Sequence, residues 1–337
     1  MLDGMAKVAE LVEAAAKFEQ PALALTDHGN MCGAIELVRR CRDAGLKPIV
    51  GLGPYLAPRS RHDRERNPVA GHHLNLLAMN EQGYRNLLAL SSKGFTEGFY
   101  YIPRVDAELL AAHAEGLVCT SACLFAGEPG HYAQAGDRAG VERAIGRMRD
   151  VFGDRYYVEI QRTGASGEAA IGEMLLDVAL GAGVPVVATQ GARYLSPEDA
   201  EAHEVHVCIG QGRTLADRRR RRQERGEQAG ILSFDDSPTM AARFRDMEFA
   251  LDATIEIADR CDLVLPEAYH LPRYEPPPGH DDGERAQPHE PHRVVDGGEE
   301  DRLQQHRVAR LDELRQEGEV EHRHLRVEDV GEEPLAE

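Results

Sequence analysis

Pro21-Ala-Leu-Ala-Leu-Thr-Asp-His-Gly-Asn30 is a short apolar run that ends abruptly in polar, turn-forming residues. A buried parallel strand reads this way when its body, residues 22–26, delivers Asp27 and His28 to its carboxyl end. In α/β barrels that end carries the chemistry. Asp-His-Gly alone is a weak signal, because a strand-end histidine is more often structural than a ligand. Its surroundings raise its weight.

Around this strand the pattern alternates. Residues 5–20 repeat apolar positions at helical spacing (Val8, Leu11, Val12, Ala15, Phe18), and Gln20-Pro21 ends the helix. A helix over 33–44 closes at Gly45, and a strand follows over 47–52. Further strands are predicted at 73–78, 116–120, 156–160 and 184–188. Helices are predicted near 83–92, 107–113, 138–151, 167–182, 198–208 and 238–263, the last with Met240, Phe244, Met247, Leu251 and Ile255 on one face. Strands alternating with helices imply a parallel sheet, and this many units in about 200 residues favour a barrel over an open sheet.

The 337 residues carry a net charge of −19, which argues against a stand-alone DNA-binding surface. Much of that charge is local: residues 275–337 hold 8 Arg against 19 Asp and Glu, a balance of −11. This tail is proline-rich at its start, acidic and His-rich, and has few large apolar residues, so disorder is expected. Residues 213–230, with five consecutive arginines from Arg218 to Arg222, read as a solvated loop. No run of about 18 apolar residues is present, so no membrane span is expected, and Met1-Leu-Asp-Gly lacks the order of a signal peptide. Six scattered cysteines without a CxxC fit reduced thiols in a cytoplasm.

Metal-competent side chains fall at the predicted strand ends: His28, His73 and Cys123 (in Thr120-Ser-Ala-Cys), with Asp3 before the first helix. Imidazole, carboxylate and thiolate together suit zinc or a similar divalent ion.

Other segments come in a consistent order. They are Leu2-Asp-Gly with Ala6-Lys7, then Gly33-Ala-Ile-Glu36, Gly45-Leu-Lys-Pro-Ile-Val-Gly51 and Tyr55-Leu-Ala-Pro58. His73-Leu-Asn-Leu-Leu-Ala-Met-Asn80, Gly83-Tyr-Arg-Asn-Leu-Leu88, Glu97-Gly-Phe-Tyr-Tyr101, Ala200-Glu-Ala-His203 and His270-Leu-Pro-Arg-Tyr274 follow. With the Asp-His-Gly-Asn segment, this array resembles the polymerase and histidinol phosphatase (PHP) domain that opens the alpha subunit of bacterial DNA polymerase III, in its replicative branch.

The resemblance covers residues 1–274 and leaves 275–337 as a tail that is disordered or frameshifted. It implies a distorted (β/α)7 TIM-like barrel with a metal cluster at the strands' carboxyl ends. The family's His-x-His strand lies upstream of the Leu-Asp-Gly segment, so the barrel is expected to lack its first strand.

Asp3, His28, His73 and Cys123 match family metal positions. The family glutamate two residues before Tyr55 is Gly53, and the Asp-x-His before Tyr194 reads Gly191-Ala-Arg193. Fewer than half of the ligand positions therefore keep a metal-competent side chain. Arg193 sets a permanent positive charge where a ligand should sit, and multi-metal phosphoester hydrolysis needs the lost carboxylates. A weakly bound zinc or other divalent ion, or none, is expected.

The resemblance further implies a scaffold and docking role in DNA replication. Its partners are the rest of the alpha subunit, the proofreading exonuclease subunit and, through the holoenzyme, DNA. No polymerase activity is expected of this chain, which shows no acidic palm constellation after residue 274. A free-standing PHP phosphoesterase of the histidinol phosphatase kind, or a 3′–5′ exonuclease, is the alternative. Tyr84-Arg-Asn-Leu-Leu88 and His270-Leu-Pro-Arg-Tyr274 favour the polymerase branch.

Overall fold

A helix and a strand open the chain, α1 (Val8–Lys17) and β1 (Ala22–Leu25), followed by α2 (Ala34–Asp43) and β2 (Lys47–Leu52) in the computed structural model. It describes residues 4–64, 71–224 and 228–265, all within one compact unit. Two-residue strands β3 (Tyr55–Leu56) and β4 (His72–His73) precede β5 (Asn75–Ala78) and α3 (Glu81–Thr96). Then come β6 (Arg104–Val105), α4 (Ala107–Ala112), β7 (Leu117–Thr120), α5 (Glu128–Gln134), α6 (Arg138–Phe152), β8 (Tyr156–Gln161), α7 (Glu168–Gly181) and β9 (Val186–Thr189). Four helices close the described part: α8 (Ala200–Gln211), α9 (Leu215–Glu224), α10 (Ser237–Arg243) and α11 (Glu248–Arg260).

Six strands form one curled sheet in the order β1-β2-β5-β7-β8-β9, and β4-β3-β6 form a small second sheet. The large sheet is mixed rather than all parallel, because β5 runs antiparallel to both β2 and β7. Among the described residues between β2 and β5 there is no crossover helix. The chain there makes the short β3 and β4 and returns in the opposite direction, as antiparallel neighbours permit.

Strand side chains alternate between two cores, following the two-residue period of a pleated strand. Val50, Leu76, Leu117, Cys119, Val158, Ile160 and Val186 join the large core with residues of α3, α6 and α7. The alternate residues Ile49, Leu77, Val118, Tyr157 and Val187 line the concave face and pack against Ala253, Ile257 and Ala258 of α11. The α11 helix closes the amino-terminal end of the curl, where Lys47 Nζ also donates to Ala258 O at 3.1 Å.

Two expectations for helices are corrected. The arginine run is helical, as α9, instead of a loop. Arginine is a good helix former, and Thr214 Oγ1 accepts from Asp217 N at 3.1 Å at the start of the helix. Three of the arginines converge on Glu204 of α8: Arg218 (3.5 Å), Arg219 (3.2 Å) and Arg222 (2.9 Å). The single helix expected over 238–263 is two, α10 and α11. Phe244 and Met247 drop into the core at the break, and Arg162 fixes the break by donating to Arg243 O (2.8 Å) and Asp246 Oδ2 (2.8 Å). The calls on the acidic tail 275–337, and the His270–Tyr274 segment, lie outside the described residues.

Candidate functional site at the carboxyl ends of the strands

The Asp27–Cys32 turn is stitched by its own side chains. Asp27 Oδ2 accepts from Gly33 N (2.9 Å), Asn30 Nδ2 donates to His28 O (3.0 Å), and Asn30 Oδ1 accepts from Cys32 N (2.9 Å). Gly29 has φ +72°, and a Cβ placed there would lie 2.7 Å from Pro103 Cγ, so both backbone and space require glycine. The turn sets His28 beside Gly53 in a parallel bridge, with Gly29 N donating to Gly53 O at 2.8 Å.

His73 reaches the same place from β4. Its ring centroid lies 4.7 Å from that of His28 and 4.8 Å from that of Tyr55, edge-on in both cases. His73 N donates to Ala126 O at 2.8 Å, and Gly127 N in turn donates to Cys123 O at 2.9 Å, which ties the Cys123 loop to β4. Burial pushes the Cys123 thiol above its ordinary pKa. Backbone N–H groups of Phe125 and Ala126 pull the other way, the Glu159 charge adds to the rise, and the Arg193 charge opposes it. Cys123 therefore lies within electrostatic reach of both Glu159 and Arg193.

The structure thus gathers the regions of His28, His73 and Cys123 at one end of the curl, whereas Asp3 lies outside the described residues. Among the described residues, no group of three or more His, Cys, Asp or Glu side chains could hold a metal ion. The glycines sharpen this misfit. A Cβ on Gly53 would sit 3.0 Å from His28 Cδ2, and one on Gly191 would sit 3.1 Å from Gln161 Nε2. Neither position supplies a metal donor. The residues described do not fit a multi-metal centre.

Sequence reasoning missed the layer beneath. Asn75, Thr120, Glu159, Gln161 and Thr189 share the strand parity of the concave face and occupy its carboxyl end. Glu159 is 3% exposed. Its Oε1 accepts from Asn75 Nδ2 at 2.7 Å and from Thr120 Oγ1, and its Oε2 accepts from Thr189 Oγ1 at 2.7 Å. The available signal was the parity itself: in Tyr156-Tyr-Val-Glu-Ile-Gln161, Glu159 falls on the side of Tyr157, which faces inward.

Comparisons with known proteins identify relatives of this chain. Residues 1–163 match the family described as PHP domain. The chain is 39% identical over 281 residues to the DNA polymerase III subunit alpha of Treponema pallidum, covering 82% of this chain and 24% of that protein. It is 38% identical over 292 residues to the subunit of the same name from Thermus aquaticus, covering 83% of this chain and 23% of that protein. The chain thus spans about a quarter of the length of these relatives.

A solved metal-dependent phosphoesterase from Bifidobacterium adolescentis is also similar, at 15% identity and a TM-score of 0.35, over 56% of this chain and 82% of that one. The sequence relatives carry the assignment: the chain belongs to the PHP domain family, in the form found in bacterial DNA polymerase III alpha subunits.

Proposed function

We propose that this chain serves bacterial DNA replication as the PHP region of a DNA polymerase III alpha subunit, a scaffold and docking domain rather than a hydrolase. The observation that carries this reading is its 38–39% identity to alpha subunits, sustained over 82–83% of the chain. The mouth supports the same reading. Gly53 and Gly191 stand where carboxylates would be needed, and among the described residues phosphoester cleavage by bridging cations has no ligand set. His28, His73 and Cys123, with Asp3, are the remnant positions at which a single zinc or other divalent ion would bind weakly. The partners in this reading are the rest of the alpha subunit and the proofreading exonuclease subunit, with DNA reached through the holoenzyme.

The test pairs a binding assay with an activity assay on the purified chain. Titration with the proofreading exonuclease subunit of the same organism is expected to give a defined complex. Incubation of histidinol phosphate or single-stranded DNA with the chain and Zn²⁺ or Mn²⁺ is expected to release no product. Metal-dependent hydrolysis without complex formation would overturn the scaffold reading in favour of a free-standing phosphoesterase or exonuclease.

A further inference from the structure

We infer that a metal-free hydrogen-bonded hub centred on Glu159 holds the mouth of this barrel together in place of cations. The inference deepens the scaffold reading and rests on it only for the expectation that the mouth is not hydrolytic. The hub draws one side chain from each of four neighbouring strands: Asn75 from β5, Thr120 from β7, Glu159 from β8 and Thr189 from β9. These strands lead, within two or three residues, to the remnant positions His73 and Cys123 and to the lost one at Gly191. Asn75 lies two residues from His73, Thr120 three from Cys123 and Thr189 two from Gly191.

The direction of each bond is fixed. Gln161 Nε2 donates to Thr189 Oγ1 at 3.2 Å, so the single hydroxyl proton of Thr189 is turned toward Glu159 Oε2. Asn75 Nδ2 can only donate. Glu159 N donates to Ser121 Oγ at 2.9 Å, which adds a second tie between β8 and the end of β7. A carboxylate this buried is costly unless its lone pairs are met, and three neutral donors meet them with charge-assisted bonds. No cation is required to hold the carboxylate or the strands around it.

Thermal unfolding of the full 337-residue chain, followed by circular dichroism, tests this directly. A site holding Zn²⁺ at about a hundred times its Kd would shift the Tm by roughly 5–10 °C in a body of this size. The expected result is a shift within about 1 °C on adding EDTA or Zn²⁺, where 1 °C is well under that range. Glu159→Gln turns an amide N–H toward the Thr189 hydroxyl, which already accepts from Gln161. It is expected to lower the Tm by roughly 4–8 °C.

Thr189→Val removes one donor without touching the carboxylate and is expected to lower the Tm by roughly 2–4 °C. It decides the question if Glu159→Gln does not fold. A Tm that falls with EDTA and recovers with Zn²⁺ would overturn the inference. Wild-type melting of either variant would overturn it equally. These melts contain no exonuclease subunit, so failure of docking leaves them unchanged, and failure here leaves the docking result standing.

Discussion

Replacing Gly29 by alanine tests the turn that presents His28, and two separable costs follow from the structure. The backbone at φ +72° costs an L-residue about 1–2 kcal/mol. The new Cβ would lie 2.7 Å from Pro103 Cγ, with Tyr55 Cε2 at 3.5 Å, so the buried Pro103 ring must shift. Overpacking of that kind costs about 1–3 kcal/mol. Gly29→Ala is therefore expected to lose about 2–5 kcal/mol in urea unfolding, with an unchanged m value. Pro103→Ala removes the obstacle but leaves the backbone cost. In the double-mutant cycle the pair should recover about 1–2 kcal/mol relative to additivity. A loss below about 1 kcal/mol for Gly29→Ala would refute the conformational argument. Additivity within about 0.3 kcal/mol would refute the contact with Pro103.

Glu204→Ala should release Arg218 and Arg222 together and leave Arg219 to Glu201. Ion pairs whose arginines remain solvent-accessible are worth about 0.2–1 kcal/mol each, so faster hydrogen exchange confined to peptides covering α9 is expected, and unchanged exchange there would count against the Glu204 anchor. Asp106 titrates low: burial pushes it up, but bonds from Arg61 N, Leu109 N and the Arg61 guanidinium outweigh that. A depressed folded pKa gives stability above the unfolded value that is lost as pH falls through the folded one. Asp106→Asn should therefore flatten the acid limb of a stability–pH profile below about pH 4, and an identical profile would contradict this. Burial pushes Cys41 and Cys261 up to about 11, so at pH 8 a thiol reagent should label the exposed Cys32 well ahead of both. Equal rates would mean that the fold opens readily. Restoring Glu at Gly53, Asp at Gly191 and His at Arg193, in a chain extended by a His-x-His strand, should create stoichiometric metal binding by elemental analysis. Two or more ions already bound to the unaltered chain would contradict the remnant reading.

The sequence made the barrel strands legible wherever both faces are buried. Residues 49–52, 117–119 and 156–158 are apolar runs for that reason. The placement of His28 and His73 beside strand ends was legible too, His28 just past β1 and His73 at the end of β4. The reversal of β5 was not legible, because direction depends on the path of residues 53–74 and not on local propensity. The arginine run was misread because its helix is settled by Glu201 and Glu204 on a different element. In the predicted 238–263 helix, Ile255 shared the apolar face by spacing, yet it is 52% exposed once the helix breaks at Phe244. The Glu159 layer escaped notice because a charged residue in an apolar strand looks like a solvent-facing position until its neighbours supply donors.

The α11 helix bears on where this protein can be cut. The family match ends at residue 163, but the hydrophobic floor under Ile49, Leu77, Val118 and Tyr157 is laid by side chains between 253 and 261. A fragment stopped at 163 would keep the recognisable motif and lose both β9 and its lid. Five strands of the large sheet would be left around a hole lined with exposed apolar groups, a surface prone to self-association. For recombinant work, the stretch to keep runs at least through Leu263, which still packs in the main core about a hundred residues beyond the signature by which the family is recognised.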